Sequence, residues 1–310
     1  MQPRARIGQK IVNLLDITTG RKITNFLKNH CPYSWRHFYY SAKLRGSRLA
    51  KRDKLKFEVH LADHCNVNCK GCDEFAPLAE PSFTDVNEFA RDLNRLSELF
   101  HKEAETIYLL GGEPLLNPNV CSFVKAARQA FPSANIYIVT NGLLLPKMPA
   151  VFWQTCQQNH ARISITVYPI KIDLETIKSL ADSYQLSVSY ESNTNNEEKQ
   201  LIKWVMDLEG KQNIQTNFKN CSRANQCITL KRGRLYTCSL APHICHFNKA
   251  FGKDLPLTEQ DSIDIYQAKS GGEILSFLCK PIPFCRFCNL TAMKYGMDWE
   301  RSRKDISEWT

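Results

Sequence analysis

Cys65-Asn-Val-Asn-Cys69-Lys-Gly-Cys72 puts three thiols within eight residues. Thiolates so spaced wrap a single metal centre. A 4Fe–4S cluster normally takes four cysteines, so three local ligands leave one iron open for a substrate or cofactor. A structural zinc knuckle is the other reading, with a distant fourth ligand such as His64. A second group is Gly111-Gly112-Glu113-Pro114. Its glycines let backbone approach a ligand closely, and its carboxylate can accept hydrogen bonds from an ammonium group. A third concentration lies late in the chain, where seven of the 13 cysteines fall between 221 and 288.

The elements that carry these groups alternate. Phe57, Val59 and Leu61 alternate with polar neighbours and predict a strand over 57–63. A helix follows over 85–100, with Asp85 and Glu88 at the spacing of a capping pair. Strand 106–110, helix 119–130, strand 136–139, strand 162–168, helix 173–184 and strand 186–191 continue the pattern, and a further helix is expected near 197–208. This alternation implies a mainly parallel sheet with helices outside it. The second strand face is polar: Glu58 and His60, then Ser164, Thr166 and Tyr168, then Ser187, Ser189 and Glu191. A sheet covered by helices on both faces is apolar on both, so a polar inner face favours a wide or incomplete barrel holding a polar ligand. The triad follows the first strand and Gly111 to Pro114 follow the second, at the strand ends where α/β barrels place ligands.

Together these two motifs closely resemble the radical S-adenosylmethionine superfamily, over roughly residues 57–220. The resemblance implies a partial (β/α)6 barrel. It implies that Cys65, Cys69 and Cys72 hold a 4Fe–4S cluster whose open iron binds S-adenosylmethionine. One electron then cleaves the sulfonium to a 5′-deoxyadenosyl radical, which abstracts a hydrogen atom. Carried over by position, Gly111, Gly112, Glu113 and Pro114 bind the methionine end of the cofactor. Thr140 and Asn141, in Thr140-Asn141-Gly142 after the third strand, line the site, and Ser164 or Thr166 contacts the ribose. Gly71 departs from the family, where the residue before the third cysteine is often aromatic. A reductant such as flavodoxin or ferredoxin is implied as partner.

Cys221-x11-Gly233-x4-Cys238 resembles the start of the auxiliary-cluster extension called SPASM, or its shorter Twitch form. The expectation is one auxiliary 4Fe–4S cluster, held by Cys227 or Cys221 with Cys238, Cys285 and Cys288. A zinc ribbon from the same pairs is the alternative. Cys31, Cys121 and Cys156 read as ordinary thiols. His60, His64, His243 and His246 read as polar neighbours of the metal groups, and Glu58 and Glu191 as candidate substrate contacts.

Composition bounds the rest. A hydrophobic share of 43% excludes disorder as the main theme, and no apolar run approaches a membrane span. Arg4, Arg6, Lys10 and Asp16 interrupt any secretory core, so a cytoplasmic location is expected. The net charge of +10 is concentrated: residues 1–56 hold 14 Lys and Arg against two acids. Residues 5–28 have the periodicity of a basic amphipathic helix, and 33–40 are aromatic-rich. Such a helix packs on the barrel with a solvated basic face, lies on an anionic membrane, or meets a nucleic acid through its phosphates or another acidic partner. Sequence-specific nucleic-acid binding is not expected. The organisation is then a basic segment over 1–56, the core over 57–215 and a cysteine-rich region over 216–310. The substrate is a peptide or protein side chain or a carbohydrate-like metabolite. A non-catalytic iron–sulfur carrier and a zinc-bound structural module are the competing classes.

Overall fold

The computed structural model describes residues 53–191 and 201–310. The helix expected over 5–28, the aromatic stretch 33–40 and Cys31 lie outside the described residues.

Five strands form a parallel run in sequential order: β1 (Leu55–Ala62), β2 (Ala104–Gly111), β3 (Asn135–Thr140), β4 (Ala161–Thr166) and β5 (Val188–Glu191). Between them lie α1 (Val86–Leu99), α2 (Val120–Ala130), α3 (Ala150–Gln158) and α4 (Leu174–Ser183). Beyond β5, β6 (Leu201–Lys203) and α5 (Ile214–Asn220) lead to a hairpin of β7 (Thr229–Lys231) and β8 (Arg234–Tyr236). β7 pairs in parallel with β1 at Glu58 and Thr229, and β9 (Ser262–Asp264) joins β8. The sheet therefore reads β5-β4-β3-β2-β1-β7-β8-β9. It is the mainly parallel α/β sheet expected, and its far edge is antiparallel. α6 (Ile244–Phe251), α7 (Gly271–Leu278) and β10 (Lys294–Met297) complete the chain.

Residue alternation explains the layers. Phe57, Val59 and Leu61 of β1 face one way, with Ile107 and Leu109 of β2 and Ile136 and Ile138 of β3. Phe89, Leu93 and Leu96 of α1 and Phe123, Val124 and Ala127 of α2 recur at helical spacing and close over them. Each such side chain contributes about 1.5–3 kcal/mol on full burial. Asp85 caps α1 by accepting from Asn87 N and Glu88 N at 2.9 and 2.8 Å. Glu58, His60 and Ser164 point to the other face and are also buried, 7%, 4% and 1% exposed. The same core includes Ile228, Leu230, Leu235 and Ile274 from the last third of the chain.

A second core joins distant segments: Phe75, just after the triad, Trp204, Met206, Cys238, Phe247, Phe284 and Trp309. It displaces the helix expected near 197–208, whose residues 197–200 lie outside the described part. β6 pairs antiparallel with β10, Met206 N donates to Trp309 O at 2.6 Å, and Asp207 N to Phe287 O at 2.8 Å. These backbone groups bond to the end of the chain instead of to one another.

Candidate functional site

Three strand ends meet at the triad. Cys65 follows β1 by three residues, and Gly111 and Gly112 lie against that connection. Gly112 N donates to Ala62 O at 2.8 Å and Glu113 N to His64 O at 3.0 Å. A Cβ on Gly111 would lie 2.3 Å from Ala62 O, and one on Gly112 would lie 2.2 Å from His64 O. The close approach that demands glycine is therefore made by the chain's own cysteine-bearing segment. This differs from the expectation, which gave the approach to a ligand.

Glu113 differs too. Its carboxylate is fully buried and accepts from Thr140 Oγ1 at 2.7 Å, Asn141 N at 2.9 Å and Leu115 N at 3.0 Å. Burial pushes its acid up to about 7 against the pull of these donors. Three of about four acceptor positions are thus occupied by the protein. Glu113 bolts the end of β2 to the end of β3, and Pro114 opens the short turn that follows. Asn141 extends the link to the triad, since its Nδ2 donates to Asn66 Oδ1 at 2.7 Å and lies 3.8 Å from Cys65 Sγ.

The triad carries a lid that the sequence did not announce. Residues 298–310 run along its outer side. Ser302 N donates to Asn68 O at 2.8 Å, Lys70 N to Glu300 O at 2.8 Å, and Trp309 Nε1 to Cys72 O at 2.8 Å. Gly71 N donates to Glu308 Oε2 at 3.3 Å. A Cβ on Gly71, at φ +61°, would lie 2.9 Å from Glu308 O. Gly71 thus accommodates the turn that carries Glu308. Two signals pointed there: a capping box from Asp305 to Glu308, and two tryptophans, Trp299 and Trp309, in the last dozen residues.

The three sulfurs are free of disulfides. Burial, with neighbouring carboxylates and thiols, pushes Cys65 up to about 11 and Cys72 up to about 12. Thiols so placed ionise against a positive centre, which is the donor chemistry of a metal cluster. Ser164 is 1% exposed, and its Oγ has no hydrogen-bond partner among the described residues. A buried hydroxyl left so costs about 1–3 kcal/mol, which a ligand atom would offset. Thr166 closes β4 opposite Glu191 of β5. His64 Nδ1 accepts from Ser82 N at 3.3 Å, and its ring meets Phe83 edge-on.

Four late cysteines converge. Cys221, Cys238, Cys285 and Cys288 line one cavity with Trp204 and Asn217. Asn217 Nδ2 donates to Cys285 O at 2.7 Å and to Cys288 O at 2.5 Å. Burial pushes Cys285 up to about 12; burial, then Cys285 and Cys221, raises Cys238, and burial, then Cys221, Cys238 and Cys285, raises Cys288. Cys227 does not line this cavity. It sits beside Arg223, whose Nη1 is 3.8 Å from its sulfur, on the side of Glu58. Cys245 is exposed, and Cys279 donates to Ser276 O. Gly233, at φ +69°, turns the β7–β8 hairpin as expected, and its N–H donates to Asp92 Oδ2 at 2.8 Å.

Between the two cysteine groups lies a buried ionisable network. His60 and His243 stack at 3.8 Å with ring planes 14° apart. Asp63 is 3.1 Å from Lys231 Nζ and from His246 Nε2, 3.6 Å from His243 Nε2 and 3.7 Å from His60 Nδ1. Burial disfavours charge on His60, but Glu74 and Asp63 outweigh it and hold the imidazole up at about 9. Burial and that charge drive His243 well down, so it is neutral. Burial, then Glu74, pushes Glu58 up to about 7. His60, Asp63 and His243 are spaced like metal ligands. Near-parallel rings, however, send their lone pairs side by side and not to a common point. The group is a charge-sharing network.

Residues 54–198 match a family model described as a 4Fe-4S single cluster domain. "Molybdenum cofactor biosynthesis protein 1" of Bos taurus is 34% identical over 133 residues, 42% of this chain and 20% of that protein. "GTP 3',8-cyclase" of Trichodesmium erythraeum is 34% identical over 95 residues, 29% of this chain and 28% of that protein. The chain thus spans less than a third of the length of either relative. Among solved structures, BtrN in complex with AdoMet and 2-DOIA aligns over 77% of this chain and 94% of its own, with 19% identity and a TM-score of 0.50, a likeness of fold.

Proposed function

We propose that this chain, an enzyme of the radical S-adenosylmethionine superfamily with a 4Fe–4S cluster and S-adenosylmethionine as cofactors, abstracts a hydrogen atom from a small polar, carbohydrate-like metabolite. The observation that carries the substrate class is the buried polar face of β1: Glu58 and His60, backed by Glu74 and His243. Charged groups at that depth bind hydroxyls and amines and reject apolar surface. The fold-level likeness to BtrN, solved with AdoMet and 2-DOIA, is in keeping with this reading.

Cys65, Cys69 and Cys72 would hold the cluster, with one iron left for S-adenosylmethionine. When bound, the pair supplies a 5′-deoxyadenosyl radical by one-electron cleavage of the sulfonium. Backbone of Gly111 and Gly112 and the side chain of Asn141 would lie toward the methionine end, and Ser164 and Thr166 would contact the ribose. Glu113, Pro114 and Thr140 fix the loop that presents them. Cys221, Cys238, Cys285 and Cys288 would hold one auxiliary cluster, able to receive an electron from the substrate. A one-electron reductant such as flavodoxin or ferredoxin completes the cycle.

In this reading residues 57–215 form the core, 216–310 the auxiliary region, and 1–56 a basic segment that touches anionic membrane. No helix among the described residues is long and apolar enough to cross a membrane. A 1–56 deletion that binds anionic vesicles as well as the full chain, at low salt, removes the membrane contact.

The test of the reaction is anaerobic. Reconstituted, dithionite-reduced protein with S-adenosylmethionine should release 5′-deoxyadenosine, and perdeuterated sugars or aminocyclitols should transfer deuterium to it. Release no greater than that of the Cys65/Cys69/Cys72→Ala variant refutes the reading. Deuterium arriving only from labelled peptides moves the substrate to a peptide side chain.

A further inference from the structure

We propose that Trp299 acts as a positioning residue that sets the reduction potential of the cluster at the triad, by donating a hydrogen bond to Cys69 Sγ. The proposal rests on the reading that Cys65, Cys69 and Cys72 hold that cluster. Trp299 Nε1 lies 3.2 Å from Cys69 Sγ. Tyr168, just beyond β4, lines a cavity with Cys69. The indole comes from 230 residues beyond Cys69. Cys65 takes Val67 N at 3.4 Å from its own loop and Asn141 Nδ2 at 3.8 Å from the end of β3. The indole N–H on Cys69 is the shortest of these three contacts.

The arrangement holding Trp299 is over-determined. Its neighbour Glu300 accepts Lys70 N through its carbonyl at 2.8 Å and pairs with Lys70 Nζ through its carboxylate at 2.8 Å. Arg301 bridges Cys69 as a one-residue antiparallel contact, and Ser302 N binds Asn68 O at 2.8 Å. The residues that follow the indole are therefore clamped to the loop that carries its acceptor.

Reduction adds negative charge that spreads onto the ligating sulfurs. A fixed N–H or O–H dipole aimed at one of them stabilises the reduced form more than the oxidised form. The indole N–H therefore raises the potential and makes the cluster reachable by a weaker reductant. The indole also shields the sulfur from water, and loss of that shield would raise the potential. The sign of the change in a variant separates the two effects.

The experiment is an electron-paramagnetic-resonance redox titration of the full, reconstituted chain, following the signal that shifts with S-adenosylmethionine. Trp299→Phe should make one-electron reduction about tenfold less favourable, about 59 mV lower for a one-electron couple. Trp299→His, which keeps an N–H, should recover part of the loss. The auxiliary signal should stay put. An unchanged or raised potential in Trp299→Phe overturns the proposal. If the variants fail to load, wild-type protein grown with 15N-indole tryptophan decides. A nitrogen coupling on the cofactor-responsive signal supports the contact, and no coupling overturns it. A chain with no cofactor-responsive signal overturns the cluster assignment itself, and the tuning with it.

Discussion

Replacing Gly112 by alanine tests the claim that the glycine pair serves the protein's own loop. The added Cβ would lie 2.2 Å from His64 O. Carbon–oxygen contacts of this kind settle near about 3.3 Å. The two backbones must therefore part by about 1 Å. They are joined there by Gly112 N to Ala62 O at 2.8 Å and Glu113 N to His64 O at 3.0 Å. Lengthening both by about 1 Å breaks both, and each buried group left unpaired costs about 1–3 kcal/mol. The expected loss is about 2–6 kcal/mol, sited one to three residues from Cys65. Denaturant unfolding of the variant, read with its iron and sulfide content after reconstitution, measures it. The control is Gly252→Ala. Its φ is +59° but nothing lies within 4 Å, so it should cost only the left-handed strain of about 1–2 kcal/mol. A Gly112→Ala protein within about 1 kcal/mol of the parent, with undiminished iron, would refute the argument.

Three further outcomes are expected. Glu113 has a folded-state value of about 7 against an ordinary 4.5, so its stabilisation is complete below the ordinary value and lost as pH rises through about 7. Relative to Glu113→Gln, the parent should lose about 3 kcal/mol of unfolding free energy over that interval. A pH-independent difference contradicts it. Cys285→Ser or Cys288→Ser should lower iron from about eight to about four per chain, while Cys227→Ser leaves about eight; equal loss in all three would put Cys227 back among the ligands. Gly71→Ala, at φ +61° and against Glu308 O, should cost about 1–2 kcal/mol and speed amide exchange in residues 299–309. Unaltered exchange would show that the last turn does not bear on the loop.

Periodicity alone located the parallel run, because Phe57-x-Val59-x-Leu61 and the α1 stripe of Phe89, Leu93 and Leu96 each satisfy one geometry and no other. The triad and the glycine pair were legible because chemistry fixes their spacing. What Gly112 and Glu113 touch was not, since close approach and carboxylate burial are relations between segments some 48 residues apart. The failure near 197–208 has the same origin. Leu201, Ile202, Val205 and Met206 are apolar at a spacing that suits a helix, but their backbone partners lie after residue 286. Cys227 was grouped with its neighbours by spacing, and a bend at Asn225, with φ +56°, sends it to the other side. The lid over the triad depends on a contact across 230 residues between Trp299 and Cys69.

The burial of Trp309 bears on the order in which the protein matures. Its side chain is fully enclosed beside Phe75, and its indole closes the Cys72 carbonyl. The loop that carries the three cysteines is made early in synthesis, yet its last wall arrives nearly 240 residues later. Until residues 298–310 dock, that side of the loop lacks the wall they supply, and the loop's final shape waits on a segment made long after it.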